Sequence, residues 1–175
     1  MSNTLSIVKD FLEKRQITKD AVFASDYNGT LDRTDSRHCN WLNQFFNDLF
    51  DFNKDQATLQ WVFRIYTSSP QDAMTSNQSS FIQTLRDQTN LSDHVLLKNQ
   101  KVVEIADKSK LYVDDQKNIL ELISNLSEKM RADKSFLFHP DDKNLVEFLE
   151  AWCALNTQQK NEALHNAIQH NQLTC

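Results

Sequence analysis

The sequence predicts an α/β fold built on a mainly parallel sheet. Short β-branched, aromatic or otherwise apolar segments alternate along the chain with amphipathic segments of helical period. That alternation is typical of a parallel sheet covered by helices on both faces. Three of the apolar segments are followed directly by polar residues, as expected at strand ends that form a ligand crevice. We therefore expect a three-layer Rossmann-like sandwich with about five strands.

The periodicity places the elements in order. An amphipathic helix over residues 4–15 precedes a core of about residues 20–140, and C-terminal helices follow at about 141–172. Residues 101–106 fit either a helix or a strand. Strands are predicted at residues 20–26, 58–66, 94–97, 111–113 and 136–138, and the remaining helices at residues 36–52, 78–88 and 116–131. The aromatic face of the helix at residues 36–52 is interpreted as core rather than as a partner surface.

Length and composition limit the function classes. With 175 residues, the chain fits one domain spanning residues 1–175. The formal net charge of −5 argues against binding a nucleic-acid backbone, which needs a basic surface. The sequence has no apolar run of membrane length and no secretory pattern, so no membrane association is expected. Three cysteines without metal-like spacing fit a reducing, cytoplasmic compartment.

Polar side chains follow three of the predicted strands. Asp26 ends the first strand, Thr67 ends the second, and Asp114 with Asp115 ends the fourth. In a parallel sheet with right-handed crossovers, these strand ends lie along one edge of the sheet. We expect the four residues to meet in one crevice although they are distant in sequence.

The chemistry of these groups indicates a magnesium and phosphate site. Neighbouring carboxylates repel one another unless a cation neutralises them. Oxygen ligands favour a hard ion such as Mg²⁺, which substrate phosphate can complete. A carboxylate beside the two can attack phosphorus and form an acyl phosphate. The hydroxyl of Thr67 and a lysine ammonium would then bind the other phosphate oxygens.

The segment from Asp26 to Thr30, Asp-Tyr-Asn-Gly-Thr, resembles the first signature of the haloacid dehalogenase-like (HAD) superfamily, Asp-x-Asp-Gly-Thr. Ile65-Tyr66-Thr67-Ser68-Ser69 resembles its second signature, a strand that ends in Thr or Ser. Leu111 to Asp115, Leu-Tyr-Val-Asp-Asp, resembles its acidic fourth signature. Together these segments cover residues 20–118, and they imply a HAD-like fold.

The resemblance implies a role for each matching residue. Asp26 corresponds to the nucleophile and to a metal ligand, and Asn28 to the residue whose backbone carbonyl binds the metal. Thr67 and Ser68 correspond to phosphate-binding residues, and Asp114 and Asp115 to the remaining metal ligands. The implied activity is that of a Mg²⁺-dependent phosphatase or phosphotransferase with an aspartyl-phosphate intermediate.

The third signature of the superfamily is a lysine, for which three candidates exist. Lys98, Lys101 and Lys108 lie between the third and fourth predicted strands. The spacing of thirteen residues from Lys101 to Asp114 looks like that of the superfamily's deoxyribonucleotidase-like members. Lys101 is therefore the preferred catalytic and phosphate-binding lysine, followed by Lys98.

Asn28 departs from the superfamily pattern, which has an aspartate there as general acid and base. An amide has no titratable proton near neutral pH, and loss of such catalysis costs roughly 10²–10⁴ in rate. Three alternatives follow. The protein turns over only substrates with good leaving groups, it forms a long-lived phosphoenzyme, or it binds a phosphorylated ligand or protein partner without turnover. As a further hypothesis, deamidation at Asn28-Gly29 would regenerate an aspartate.

The sequence leaves no room for a large cap domain. A single helix separates Leu31 from the second strand, and the segment after Lys101 is short. We expect an open crevice, with residues 71–80 as a small lid. Such a crevice suits a macromolecular substrate such as a phosphoprotein, or a cap supplied by a protein partner. The expected substrate is a phosphorylated small molecule or a phosphoprotein.

Overall fold

In the computed structural model, which describes residues 2–174, five parallel strands form a single sheet with eight α-helices around it. The strands are β1 (Val22–Asp26), β2 (Val62–Thr67), β3 (Val95–Leu97), β4 (Ser109–Val113) and β5 (Leu137–Phe138). The helices are α1 (Ser2–Lys14), α2 (Arg37–Lys54), α3 (Pro70–Met74), α4 (Ser80–Gln88), α5 (Val102–Lys108), α6 (Lys117–Arg131), α7 (Lys143–Ala154) and α8 (Thr157–Thr174). The predicted fold class, a three-layer Rossmann-like sandwich, is confirmed.

The strand order is β3-β2-β1-β4-β5, and every neighbouring pair is parallel. The chain builds the sheet outward from β1 to β3, and then returns to add β4 on the other side of β1. This reversal creates a topological switch point between β1 and β4, where the flanking helices diverge and leave a crevice at the carboxyl ends. The position of the crevice therefore follows from topology alone.

Two hydrophobic cores hold the sheet between its helices. The larger core contains the aromatic side chains of α2, including Phe45 and Phe46, together with Phe23, Phe148 and other buried residues. In this layer α1 packs against α7 and α8, while α2 packs against α7 and α4. The smaller core on the opposite face lies under α5 and α6, which pack on each other. The interpretation of the α2 aromatic face as core is confirmed.

Three local predictions are refined. β2 begins at Val62 rather than residue 58, because the chain before it forms a turn, in which the Leu59 N–H donates to the Gln56 carbonyl, and the Trp61 backbone N–H donates to the Asn53 side chain rather than to a strand. The ambiguous segment 101–106 lies in the region of α5. Part of the polar segment at residues 71–80 is the short helix α3.

Within residues 2–174, no helix combines the length and apolar character that crossing a bilayer requires. Cys39 and Cys153 are free thiols, whereas Cys175 lies outside the described residues.

Candidate active site

The sheet register brings the predicted strand-end residues together. Ser25 of β1 lies opposite Val113 of β4, so that Asp26 and Asp114 stand at the ends of neighbouring strands. On the other side of β1, Asp26 pairs with Tyr66 of β2, and the next residue, Thr67, is the last residue of β2. Asp26, Thr67 and Asp114 are all buried. The crevice at the switch point therefore contains the groups that the sequence predicted there.

Three carboxylates form a compact cluster at this point. Asp26, Asp114 and Asp115 each place a carboxylate oxygen within 4.8 Å of those of the other two. The Oδ1 atom of Asp115 is buried and has no hydrogen-bond partner among the described residues. A buried oxygen without a donor is costly, and the Asp115 Oδ1 atom is therefore free to bind a cation or a hydrogen-bond donor.

A single lysine bridges the cluster. The Nζ atom of Lys98 donates hydrogen bonds of 3.1 Å to Asp26 Oδ1 and of 3.1 Å to Asp114 Oδ2. Its side chain is 4% exposed, so this ion pair is shielded from water. Lys98 directly follows β3, whose last residue Leu97 pairs with Thr67, and it therefore starts from the same edge of the sheet.

The spacing to Asp114 predicted Lys101 as the lysine of the site, and the structure instead places Lys98 against the carboxylates. A 3₁₀ turn at Lys98–Gln100 separates Lys101 from the end of β3, and Lys101 stands at the start of α5. Spacing along the chain did not reveal this turn. The lysine of the candidate site is accordingly Lys98.

The charges in the cluster do not balance. Burial raises the pKa of Asp26 to about 8, and the neighbouring Asp114 carboxylate adds to this effect, while the Lys98 ammonium opposes it. For Lys98, burial lowers the pKa, but Asp26 and Asp114 outweigh burial and the net pKa is raised. If all three carboxylates were ionised, one ammonium would leave a charge of −2 in this site, and Asp26 therefore retains a proton up to about pH 8 in the metal-free protein. A divalent cation would neutralise that charge.

Tyr112 is a further site residue, which the sequence analysis missed. Its hydroxyl is buried and donates a hydrogen bond of 2.5 Å to Asp114 Oδ2, and the Gln116 backbone N–H donates to Asp114 Oδ1. Burial and the Asp114 carboxylate raise the pKa of Tyr112, which keeps the hydroxyl a donor. Residues two apart share a face of a strand, and this was the available signal for Tyr112.

The only glycine of the chain allows the loop after β1 to approach the cluster. Gly29 has a φ of +78°, and a Cβ atom there would lie 2.1 Å from Asp115 Oδ2. The Gly29 N–H donates a hydrogen bond of 2.7 Å to Asp32 Oδ1, which closes the loop. Any other residue would suffer both backbone strain and contact with the Asp115 carboxylate.

Asn28 lies at the solvent-exposed edge of the site. Its backbone carbonyl accepts no hydrogen bond from any of residues 2–174 and is available to a ligand. Deamidation requires the Gly29 nitrogen to attack the Asn28 side chain, and the hydrogen bond to Asp32 opposes that attack. The fold thus favours retention of the amide.

The phosphate-binding candidates on β2 lie next to the cluster. The Thr67 hydroxyl accepts a hydrogen bond of 3.0 Å from the Ser69 backbone N–H, so its own proton remains available for donation. Ser68 directly follows β2 and is exposed.

No protein-family model, curated protein or solved structure matches this chain.

Gly29→Ala should lower the free energy of unfolding by about 2 kcal/mol, because it adds strain at positive φ and displaces Asp115. In an Asp115→Ala background the contact disappears, and the same substitution should cost about 1 kcal/mol. Urea unfolding of the wild type, the two single variants and the double variant measures the coupling free energy between Gly29 and Asp115. Equal costs in both backgrounds would contradict the proposed contact.

The raised pKa of Asp26 predicts a pH-dependent stability in metal-free protein. Between about pH 4 and pH 8 the folded state retains a proton that the unfolded chain releases, so stability falls as pH rises through this window. The slope from this group is at most about 1.4 kcal/mol per pH unit. Urea unfolding in EDTA should show that Asp26→Asn removes this contribution; unchanged slopes would show that Asp26 titrates normally.

Proposed function

We propose that this protein is a Mg²⁺-dependent phosphatase or phosphotransferase, similar to HAD-superfamily enzymes, that works through an aspartyl phosphate on Asp26. The observation that carries the proposal is the cluster of Asp26, Asp114 and Asp115 around the single ammonium of Lys98. The cluster lies at the topological switch point, where open α/β sheets bind their ligands.

The oxygen-rich site fits a magnesium ion. Asp26, Asp115 and the Asn28 carbonyl offer hard oxygen ligands, and the unpartnered Asp115 Oδ1 supports the fit. Asp114 completes the set, although both its oxygens already accept hydrogen bonds from protein donors. Bound Mg²⁺ supplies positive charge to the carboxylates and to the phosphoryl oxygens.

Residues of the chain carry out the phosphoryl transfer itself. A carboxylate oxygen of Asp26 attacks phosphorus, the bond from phosphorus to the leaving oxygen breaks, and the electron pair departs with that oxygen. Lys98 holds Asp26 in place and adds positive charge beside the transferring group, while the Thr67 hydroxyl donates to a phosphoryl oxygen. Water then attacks phosphorus, releases phosphate and restores the Asp26 carboxylate; in a phosphotransferase, another hydroxyl takes the place of this water.

Asn28 limits this chemistry. Its amide cannot protonate the leaving oxygen or activate the attacking water. The protein alone is therefore suited to leaving groups that depart without a protein-derived proton. Its phosphoenzyme should also be long-lived.

Acetyl phosphate provides the direct test, because acetate leaves without a proton. With Mg²⁺, the wild-type protein should turn it over, and Asp26→Asn should abolish turnover. Asn28→Asp should raise turnover of p-nitrophenyl phosphate by about 10²–10⁴, since it restores a general acid and base. Asn40→Asp, an exposed substitution on α2, is the matched control and should change neither rate.

Equal inactivity of wild type, Asp26→Asn and Asn28→Asp would reject the enzymatic proposal. The chain would then be a silent binding protein, and binding of beryllium fluoride with Mg²⁺ would show whether the phosphate site survives.

Lys98→Met should lower acetyl phosphate turnover at least about a hundredfold, because it removes the ammonium from Asp26 and Asp114. Lys101→Met is the matched control and should retain most of the activity, because Lys101 stands beyond the 3₁₀ turn. Circular dichroism confirms that both variants fold. The opposite pattern would restore Lys101 as the catalytic lysine.

A further inference from the structure

A polar cleft of about 370 Å³ opens beside the candidate active site. Tyr27 and Asn28, which directly follow Asp26, line one wall. Asp72 of α3 and residues 75–78 of the predicted lid line the other. Its size falls within the roughly 300–1,000 Å³ range of small-molecule sites. Its place next to the nucleophile makes it the natural position for the leaving group.

Hydrogen bonds fix both walls of this cleft. The buried side chain of Asn43 donates to the carbonyl of Leu31, which precedes Asp32, and accepts from the hydroxyl of Ser79, which follows Gln78, at 3.0 and 2.6 Å. Arg86 donates to the carbonyls of Met74 and Ser76, at 3.0 and 2.7 Å. These contacts hold the segment after α3 in place. The cleft is therefore formed before any ligand binds.

The residues that line the cleft favour a positively charged group over a negatively charged one. The lining contains two carboxylates, Asp32 and Asp72, and no lysine, arginine or histidine. The nearby guanidinium of Arg86 is occupied by backbone carbonyls and does not line the cleft. Tyr27 is the only aromatic lining residue, and at 3% exposure it offers no face on which a nucleobase could stack. Anionic and nucleotide leaving groups are therefore disfavoured.

We propose that this cleft is the leaving-group subsite and that it selects small phosphate monoesters of amino alcohols. The inference rests on the proposed function for the position of the phosphate beside Asp26. The ammonium group faces Asp32 and Asp72, and hydroxyl groups of the ligand bind the polar side chains of residues 75–78.

This substrate class also compensates for Asn28. In a 2-aminoalkyl phosphate, the ammonium nitrogen lies two carbons from the leaving oxygen. As the phosphorus–oxygen bond breaks, one ammonium proton moves to that oxygen, and a neutral amino alcohol departs. The substrate thus supplies the proton that the amide of Asn28 cannot supply.

Three two-carbon ligands test the charge selection at constant size: O-phosphoethanolamine, 2-hydroxyethyl phosphate and 2-phosphoglycolate. Their dissociation constants are measured by calorimetry with Mg²⁺ and Asp26→Asn protein, which prevents turnover. Each step from ammonium to hydroxyl to carboxylate should weaken binding about fivefold, as expected for one charge interaction near water. Inhibition constants against acetyl phosphate in wild-type protein should follow the same order.

The dissociation constants of O-phosphoethanolamine and 2-phosphoglycolate should differ about 25-fold in total. Asp72→Asn should reduce this difference to about fivefold, because one of the two carboxylates is lost. Asp87→Asn, an exposed aspartate on α4 that does not line the cleft, is the matched control and should leave the range unchanged.

Equal affinities, the reverse order, an unchanged range in Asp72→Asn, or no binding of any ligand would overturn the inference. Because the binding order is measured without turnover, it can hold even if wild-type protein fails to hydrolyse acetyl phosphate. Conversely, Asp26-dependent hydrolysis without the binding order would leave the proposed function intact and reject the subsite.

Discussion

The candidate site depends on the two ion pairs of the buried Lys98 ammonium. The ammonium bridges Asp26 and Asp114 in a place where water cannot screen their charges. Without it, adjacent carboxylates at the ends of β1 and β4 would repel strongly in the folded state. With it, the cluster still carries excess negative charge, and the pKa of Asp26 remains raised. The site is therefore stable enough to form, and a divalent cation would neutralise the remaining charge.

The topology makes this convergence possible. Asp26 and Thr67 are the last residues of β1 and β2, while Lys98 and Asp114 directly follow β3 and β4. These four strands are neighbours in the sheet, in the order β3, β2, β1 and β4. Since all the strands are parallel, their carboxyl ends share one edge, and the reversal beside β1 opens a crevice there. The loop after β1 then turns at Gly29, where the absence of a side chain leaves space for the Asp115 carboxylate. Long-range topology and one local backbone conformation are both required.

Much of this arrangement was predictable from the sequence, because strand-like segments followed by polar residues specify a sheet edge. Asp26, Thr67, Asp114 and Asp115 were found in this way. The choice between Lys98 and Lys101 was not decidable by spacing, since a single 3₁₀ turn determines which lysine follows β3. The cleft also escaped prediction, because its walls are joined by Asn43 and Arg86 through contacts distant in sequence. Side-chain contacts of this kind leave no periodic signal.

An excess of buried negative charge costs folding free energy, and the rest of the fold must offset that cost. The large aromatic core on the opposite side of the sheet from α5 and α6 provides such an offset, because it buries side chains from α1, α2, α4, α7 and α8 together. The two hydrophobic layers thus have unequal roles. The larger one stabilises the sheet. The smaller one includes Tyr112, whose hydroxyl donates a hydrogen bond to the Asp114 carboxylate. The excess negative charge is tolerated because stability is supplied elsewhere, and that same charge would attract a metal ion, to which a phosphate group could then bind.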